Sequence, residues 1–185
     1  MSSRAKQRVA QRVERQRRRR RTWVLWGVGI VAVLAVGFFA YRGLTQEYPG
    51  RVVPTLGNQH VASVNTLHVP YNTRPPTSGP HLPYLAPWGI HDKPIPDELQ
   101  VHNLEDGGVL VQYDCRDCEA LIAKLKAIVS RYPEQVILAP YPNLETRIAL
   151  TAWGRIDTFD DFDEPRIVRF IEAYRGIDHH PRPFR

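Results

Sequence analysis

The chain has 185 residues, enough for one domain and a modest extension rather than two large domains. With 43% hydrophobic and 24% charged residues it is not disordered throughout, and two cysteines exclude a disulfide-dense scaffold or a four-cysteine zinc module. The net charge of +6 invites a nucleic-acid reading, which depends on where the charge sits.

Residues 1–21 hold nine arginines and Lys6 against a single acid, Glu14, for a local charge of +9. Residues 22–185 carry 15 basic and 18 acidic side chains, a charge of −3. The excess is therefore a short basic arm, and nucleic acid is a disfavoured partner. Residues 22–41 follow, 20 residues without a charge. As a helix rising about 1.5 Å per residue they span about 30 Å, the thickness of a bilayer's hydrocarbon core. Trp23, Trp26 and Tyr41 stand near the ends, where aromatic rings favour the interface. The run exceeds the apolar core of a signal peptide, about 7–15 residues, and Phe38-Phe39-Ala40 lacks the small residues a cleavage site needs. A transmembrane signal anchor is expected. Basic residues before the helix predict a cytoplasmic N-terminus and an extracytoplasmic segment from residue 42 onward. The expected setting is the cell membrane, crossed once. The lipid bilayer and anionic headgroups at the arm are the expected partners.

Residues 42–60 read as a tether with weak strand character at 51–53. Residues 61–180 read as an extracytoplasmic domain and 181–185 as a tail. Within the domain, residues 68–98 hold eight prolines, which remove backbone donors and disfavour a long helix or a central strand. Tyr71, Tyr84, Leu85, Trp88 and Ile90 are interleaved, so an ordered loop packed on a core is expected rather than a disordered linker. Residues 108–113 read as a strand. Asp114 or Asp117 is placed to cap a helix running to about Arg131, with Leu121, Ile122, Leu125, Ile128 and Val129 on one face. Residues 135–139 read as a strand, 140–143 as a turn and 146–156 as one further strand. Asp163-Glu-Pro opens a second helix that Gly176 stops. The order β-α-β-β-α predicts the α+β class: a small sheet, two amphipathic helices over one face, and the long Pro-rich loop.

The seven histidines all follow the apolar run. His81 ends Pro-Pro-Thr-Ser-Gly-Pro-His, a rigid backbone that presents an imidazole at little ordering cost. His102 precedes Glu105 and Asp106; in a helical turn it shares a face with both. Imidazole and carboxylate together suit a transition metal, copper or zinc, and equally a proton-transfer pair or a histidine that only fixes its loop. His60, His68 and His91 read as plain surface residues and His179-His180 as a solvated end. Cys115-Arg-Asp-Cys118 stands at an expected helix start, where a dithiol can be redox-active. Asp114 and Glu119 flank the pair and oppose a thiolate. A local disulfide, metal ligation and thiol–disulfide exchange all remain open there. The sequence has no Gly-rich phosphate loop, Gly-x-Ser-x-Gly or His-Glu-x-x-His.

Several of these pieces occur together in one family. The run Pro-Pro-Thr-Ser-Gly-Pro-His81, Trp88-Gly, Val101-His102-x-Leu-Glu105-x-Gly107, the Val-x-x-Tyr113 strand, Thr-Ala-Trp153-Gly-Arg and Tyr174-Arg-Gly176 resembles a bacterial family of membrane-anchored proteins known only as a domain of unknown function. The resemblance covers about residues 45–180 and implies a cytoplasmic arm, one membrane helix and an exported domain. That family often has a second histidine where this chain has Asp106, which weakens a three-histidine site without removing Asp106 as a ligand. It implies no activity. Three readings therefore stand: a metal site built from His81, His102, Glu105 and Asp106; thiol–disulfide exchange by Cys115 and Cys118; and an accessory subunit that docks a membrane-complex partner through the Pro/aromatic loop.

Overall fold

The computed structural model describes residues 3–44, 47–115 and 118–180. The chain divides into two compact units, residues 1–47 and 48–185. The first is a single helix, α1 (Ser3–Leu44), which joins the basic arm to the apolar run. Its segment Trp23–Gly43 is 21 residues long and apolar enough to cross a membrane.

The second unit is an α+β domain built on a mixed six-stranded sheet. The strands are β1 (Arg51–Val52), β2 (Gly89–Ile90), β3 (Val109–Tyr113), β4 (Val136–Pro140), β5 (Ile148–Ala152) and β6 (Arg155–Phe159), in the order β1-β6-β5-β3-β4-β2. The helices are α2 (Asp97–Glu105), α3 (Glu119–Val129) and α4 (Glu164–Tyr174). Strand β3 runs parallel to β4 and antiparallel to β5, and every one of its residues is buried. A strand covered on both faces needs an apolar run without alternation, and Val109-Leu-Val supplies one.

Alternate residues of β3 serve two cores. Val109, Val111 and Tyr113 join the larger one, with Leu121, Leu125, Ile128 and Val129 of α3 and Ile167, Phe170, Ile171 and Tyr174 of α4. Leu110 points the other way, into a smaller core with Ile137, Ala139, Leu104, Ala86 and Ile95. The two expected helices thus share one face. The other face is covered by α2 and the Pro-rich loop, which packs through Ala86, Trp88 and Ile95, while Tyr84, Leu85 and Ile90 are exposed rather than packed as expected.

Three expectations need correction. Residues 146–156 are not one strand: the chain reverses at Trp153-Gly154, with Gly154 at φ +66°, and Ala152 pairs with Arg155 across the turn. Residues 146–159 keep one hydrophobic pattern through that two-residue hairpin, so periodicity alone hides it. Asp114 does not cap α3; its carboxylate accepts from the backbone N–H of Asn143 (2.6 Å) and Leu144 (3.2 Å). Cys118 occupies the cap position without a side-chain bond, and Asp117 lies outside the described residues. Finally, α2 is a nine-residue helix where only a turn at 102–106 is expected. Asp163 does cap α4, accepting from Arg166 N–H at 3.0 Å. The expected tail at 181–185 also lies outside the described residues.

Candidate metal centre

Helix α2 and its C-cap supply half of the site. His102, Glu105 and Asp106 fall at i, i+3 and i+4, the first two on α2 and Asp106 at its C-cap. Asn103 holds the helix in place. Its side chain accepts from Ala86 N–H and donates to Ala86 O, both at 2.9 Å and both buried. This clasps α2 to the Pro-rich loop.

The loop itself is fixed by a second set of bonds. His81 N–H donates to Gln59 O (3.0 Å), Val61 N–H to His81 O (2.8 Å) and Gly79 N–H to Gly57 O (3.0 Å). Leu56 N–H donates to Ser78 Oγ, and Tyr71 O–H to Pro80 O. Residues 57–61 therefore lie beside 79–81 in a short parallel bridge, which sets His60 next to His81. The hairpin turn adds a third side. Gly154 N–H donates to Thr77 O (3.0 Å), and the Trp153 ring stands perpendicular to His81 with centroids 6.2 Å apart.

The C-terminal segment closes the fourth side. Gly107 has φ +77°, and a Cβ there would stand 2.7 Å from Ile177 N; one at Gly108 would stand 2.4 Å from Asn103 O. Gly107 therefore lets the segment after α4 pass directly against the end of α2, while Gly108 leaves room for Asn103 O and the Trp88 ring. Gly176 N–H bonds Gly107 O (2.8 Å) and His179 N–H bonds Glu105 O (2.9 Å). His179 stacks on Trp153 at 20°, and His180 is delivered beside Glu105 and Asp106.

These elements bring four imidazole and carboxylate side chains together: one donor atom each from His60, His81, His102 and Glu105, all within 4.8 Å of one another. The three rings have centroid separations of 5.0, 5.4 and 5.1 Å. His81, His102 and Glu105 are buried, while His60 is exposed. His81 Nδ1–H donates to Gly79 O at 2.7 Å, and its Nε2 lies 2.9 Å from Glu105 Oε2. The other oxygen, Glu105 Oε1, accepts from Asn58 Nδ2 at 2.8 Å. The Nδ1 of His102 is buried with no hydrogen-bond partner. Burial pushes the His102 imidazole below its usual pKa, with Asp106 pulling weakly the other way. It is thus held in the neutral form that ligates metal.

His102 and Glu105 share a helical face as their spacing suggests, and the fold brings His81 to them, but Asp106 falls into a second, overlapping group with His102 and His180. Residue spacing gives no sign of His60 or His180 at the site. The first arrives through the pairing of 57–61 with 79–81, the second through the glycine crossing; the near-adjacent Asp178 and His180 were the only local hint. Cys115 and Cys118 form a disulfide, and Cys118 packs in the larger core, on the sheet face opposite α2. Neither sulfur is a donor to the histidine group.

The fold and site together define a small α+β domain with a histidine–carboxylate cluster, preceded by one helix long and apolar enough to span a membrane. A family model described as "Protein of unknown function (DUF3105)" matches residues 62–184, and the chain belongs to that family. His81, His102, Glu105, Asp106 and His180 lie inside the matched stretch, and His60 just before it. No curated protein matches the chain, and no solved structure does.

Proposed function

We propose that residues 48–185 form an extracytoplasmic domain that binds a transition-metal ion, zinc or copper, through His81, His102 and Glu105, with the exposed His60 as fourth donor. One observation carries this reading: the convergence of these four donor atoms within 4.8 Å around a His81 ring already oriented for ligation. Its Nδ1–H is committed to a backbone carbonyl, the usual second partner of a metal-bound histidine. Its Nε2 then faces a carboxylate oxygen at 2.9 Å in a buried site. A cation bound there takes the place of the proton that such a nitrogen–carboxylate contact shares. Three imidazoles and one carboxylate suit tetrahedral zinc and also suit copper.

The setting is a single-pass membrane protein with its N-terminus in the cytoplasm. The ten basic residues before the apolar helix support that orientation, and they also favour anionic headgroups on the same side. The Cys115–Cys118 disulfide supports an oxidising compartment for the domain.

The test is metal analysis of the full chain in detergent, stripped with a chelator and reloaded with zinc or copper. His60→Ala and the double variant His81→Ala/His102→Ala are expected to lose metal. His60→Ala changes an exposed side chain, so it separates ligand loss from unfolding. Metal content equal to wild type in both variants would sink the reading.

A further inference from the structure

Resting on that reading, we propose that the site is a two-cation centre. A second cation binds between His102, Asp106 and His180, and Glu105 bridges it to the first; with both bound, His102 ligates the second cation only and His60, His81 and Glu105 hold the first. The donors come from the geometry alone: one atom each from His102, Asp106 and His180 lies within 4.8 Å of the others, and His102 belongs to both groups.

Two observations independent of that clustering point to a ligand. The first is His102, whose buried Nδ1 has no partner although its ring is surrounded by other imidazoles. A buried unpaired ring nitrogen costs free energy that a bound cation would recover. The second is the placement of Glu105 Oε2. It lies 2.9 Å from His81 Nε2 and 3.5 Å from His180 Nε2, so one carboxylate oxygen sits between two imidazole nitrogens. That is the arrangement of a bridging carboxylate, as in centres whose ions stand about 3.5–4 Å apart.

His180 is prepared as His81 is. Asp178 Oδ1 accepts from its backbone N–H (3.0 Å) and from Nδ1 (2.7 Å), which leaves Nε2 directed at Glu105. A carboxylate behind a histidine fixes ring orientation and tautomer for a metal on the far nitrogen. Three carboxylates line the two groups, Glu105, Asp106 and Asp178, and their charge is suited to two divalent ions. The ordering of the C-terminal segment then has a chemical purpose: it delivers a ligand.

The experiment is a zinc and cobalt titration of the stripped full chain in detergent. Stoichiometry is read by elemental analysis and cobalt coordination by visible absorption. Wild type is expected to hold about two ions per chain, and His180→Ala and Asp106→Asn about one each. Both variants alter solvent-accessible side chains near the end of α2, and circular dichroism verifies their fold. The proposal is overturned if wild type holds one ion and His180→Ala still holds it; the single-ion reading then survives. It is also overturned if both variants retain two. Wild type that holds none removes the single-ion reading as well.

Discussion

Glu105→Gln separates the structural duty of this carboxylate from its chemical one. The substitution keeps the shape of a side chain that is 1% exposed and removes only its charge. In the native chain Oε1 accepts from Asn58 and Oε2 faces His81 Nε2. In the variant the amide oxygen still accepts from Asn58, and the amide N–H donates to His81 Nε2. Each polar group keeps a partner. The metal-free stability should therefore change by no more than about 1 kcal/mol, the net worth of one hydrogen bond. Zinc binding responds differently, because a charged ligand becomes a neutral one. Loss of an outer partner alone weakens a site about 10–100-fold, so loss of this ligand should cost at least about 100-fold, or about 2.7 kcal/mol. Urea unfolding of the chelated protein measures the first quantity and zinc calorimetry the second. An unchanged zinc affinity refutes Glu105 as a ligand. A metal-free destabilisation of about 3 kcal/mol or more, the cost of breaking a buried ion pair, refutes the expectation that the Glu105 charge serves the metal rather than the fold.

Four further outcomes are expected. Gly108→Ala puts a Cβ 2.4 Å from Asn103 O and 2.8 Å from the Trp88 ring, and urea unfolding should register a loss of about 1–3 kcal/mol. Asn103→Ala strands both backbone groups of Ala86 in the interior and should cost about 2–4 kcal/mol in the same assay, with zinc affinity falling as α2 loosens. Reducing Cys115–Cys118 opens a very short loop and should lower stability by about 2 kcal/mol, while zinc stoichiometry stays constant; a changed stoichiometry would bring the sulfurs back as ligands. Protease added outside intact cells should remove the domain yet spare an N-terminal epitope until lysis, and early loss of that epitope would reverse the orientation.

What could be read from the sequence follows from where each element finds its stabilisation. Helices α3 and α4 each bury one apolar face, so their periodicity is written in the chain: Leu121, Leu125 and Ile128 in one, Ile167, Phe170 and Ile171 in the other. Helix α2 buries Gln100, His102, Asn103 and Glu105 beside Val101 and Leu104, so no apolar stripe marks it. Its polar face is matched by Ala86, His81 and Asn58, which lie 17, 24 and 47 residues before their partners on it. The site divides in the same way. His102 and Glu105 share a helical face and could be paired from spacing. His60 and His180 reach them only through backbone pairing of 57–61 with 79–81 and through the crossing at Gly107, and neither pairing leaves a periodic trace.

The contrast between the two cores argues for a bound ion more strongly than any single distance. The larger core is built of aliphatic and aromatic side chains. The smaller one has a handful of aliphatic residues and, around them, buried His81, His102, Asn103, Glu105, Gln112 and Thr151. Asn103 is fully engaged, whereas His102 Nδ1, Gln112 Oε1 and Thr151 Oγ1 have no partner among the described residues. Each buried, unpaired polar atom costs about 1–3 kcal/mol, a penalty that aliphatic replacements would avoid. In a domain this small such a face is hard to explain as packing. Under the metal reading the imidazoles and the carboxylate gain their bonds when the ion arrives, and metal binding becomes part of the folding free energy. The chelated domain should then unfold first on the α2 side, with amides of residues 97–105 exchanging faster than those of α3. Zinc should slow that exchange selectively. Equal protection of the two helices with and without zinc would refute the coupling.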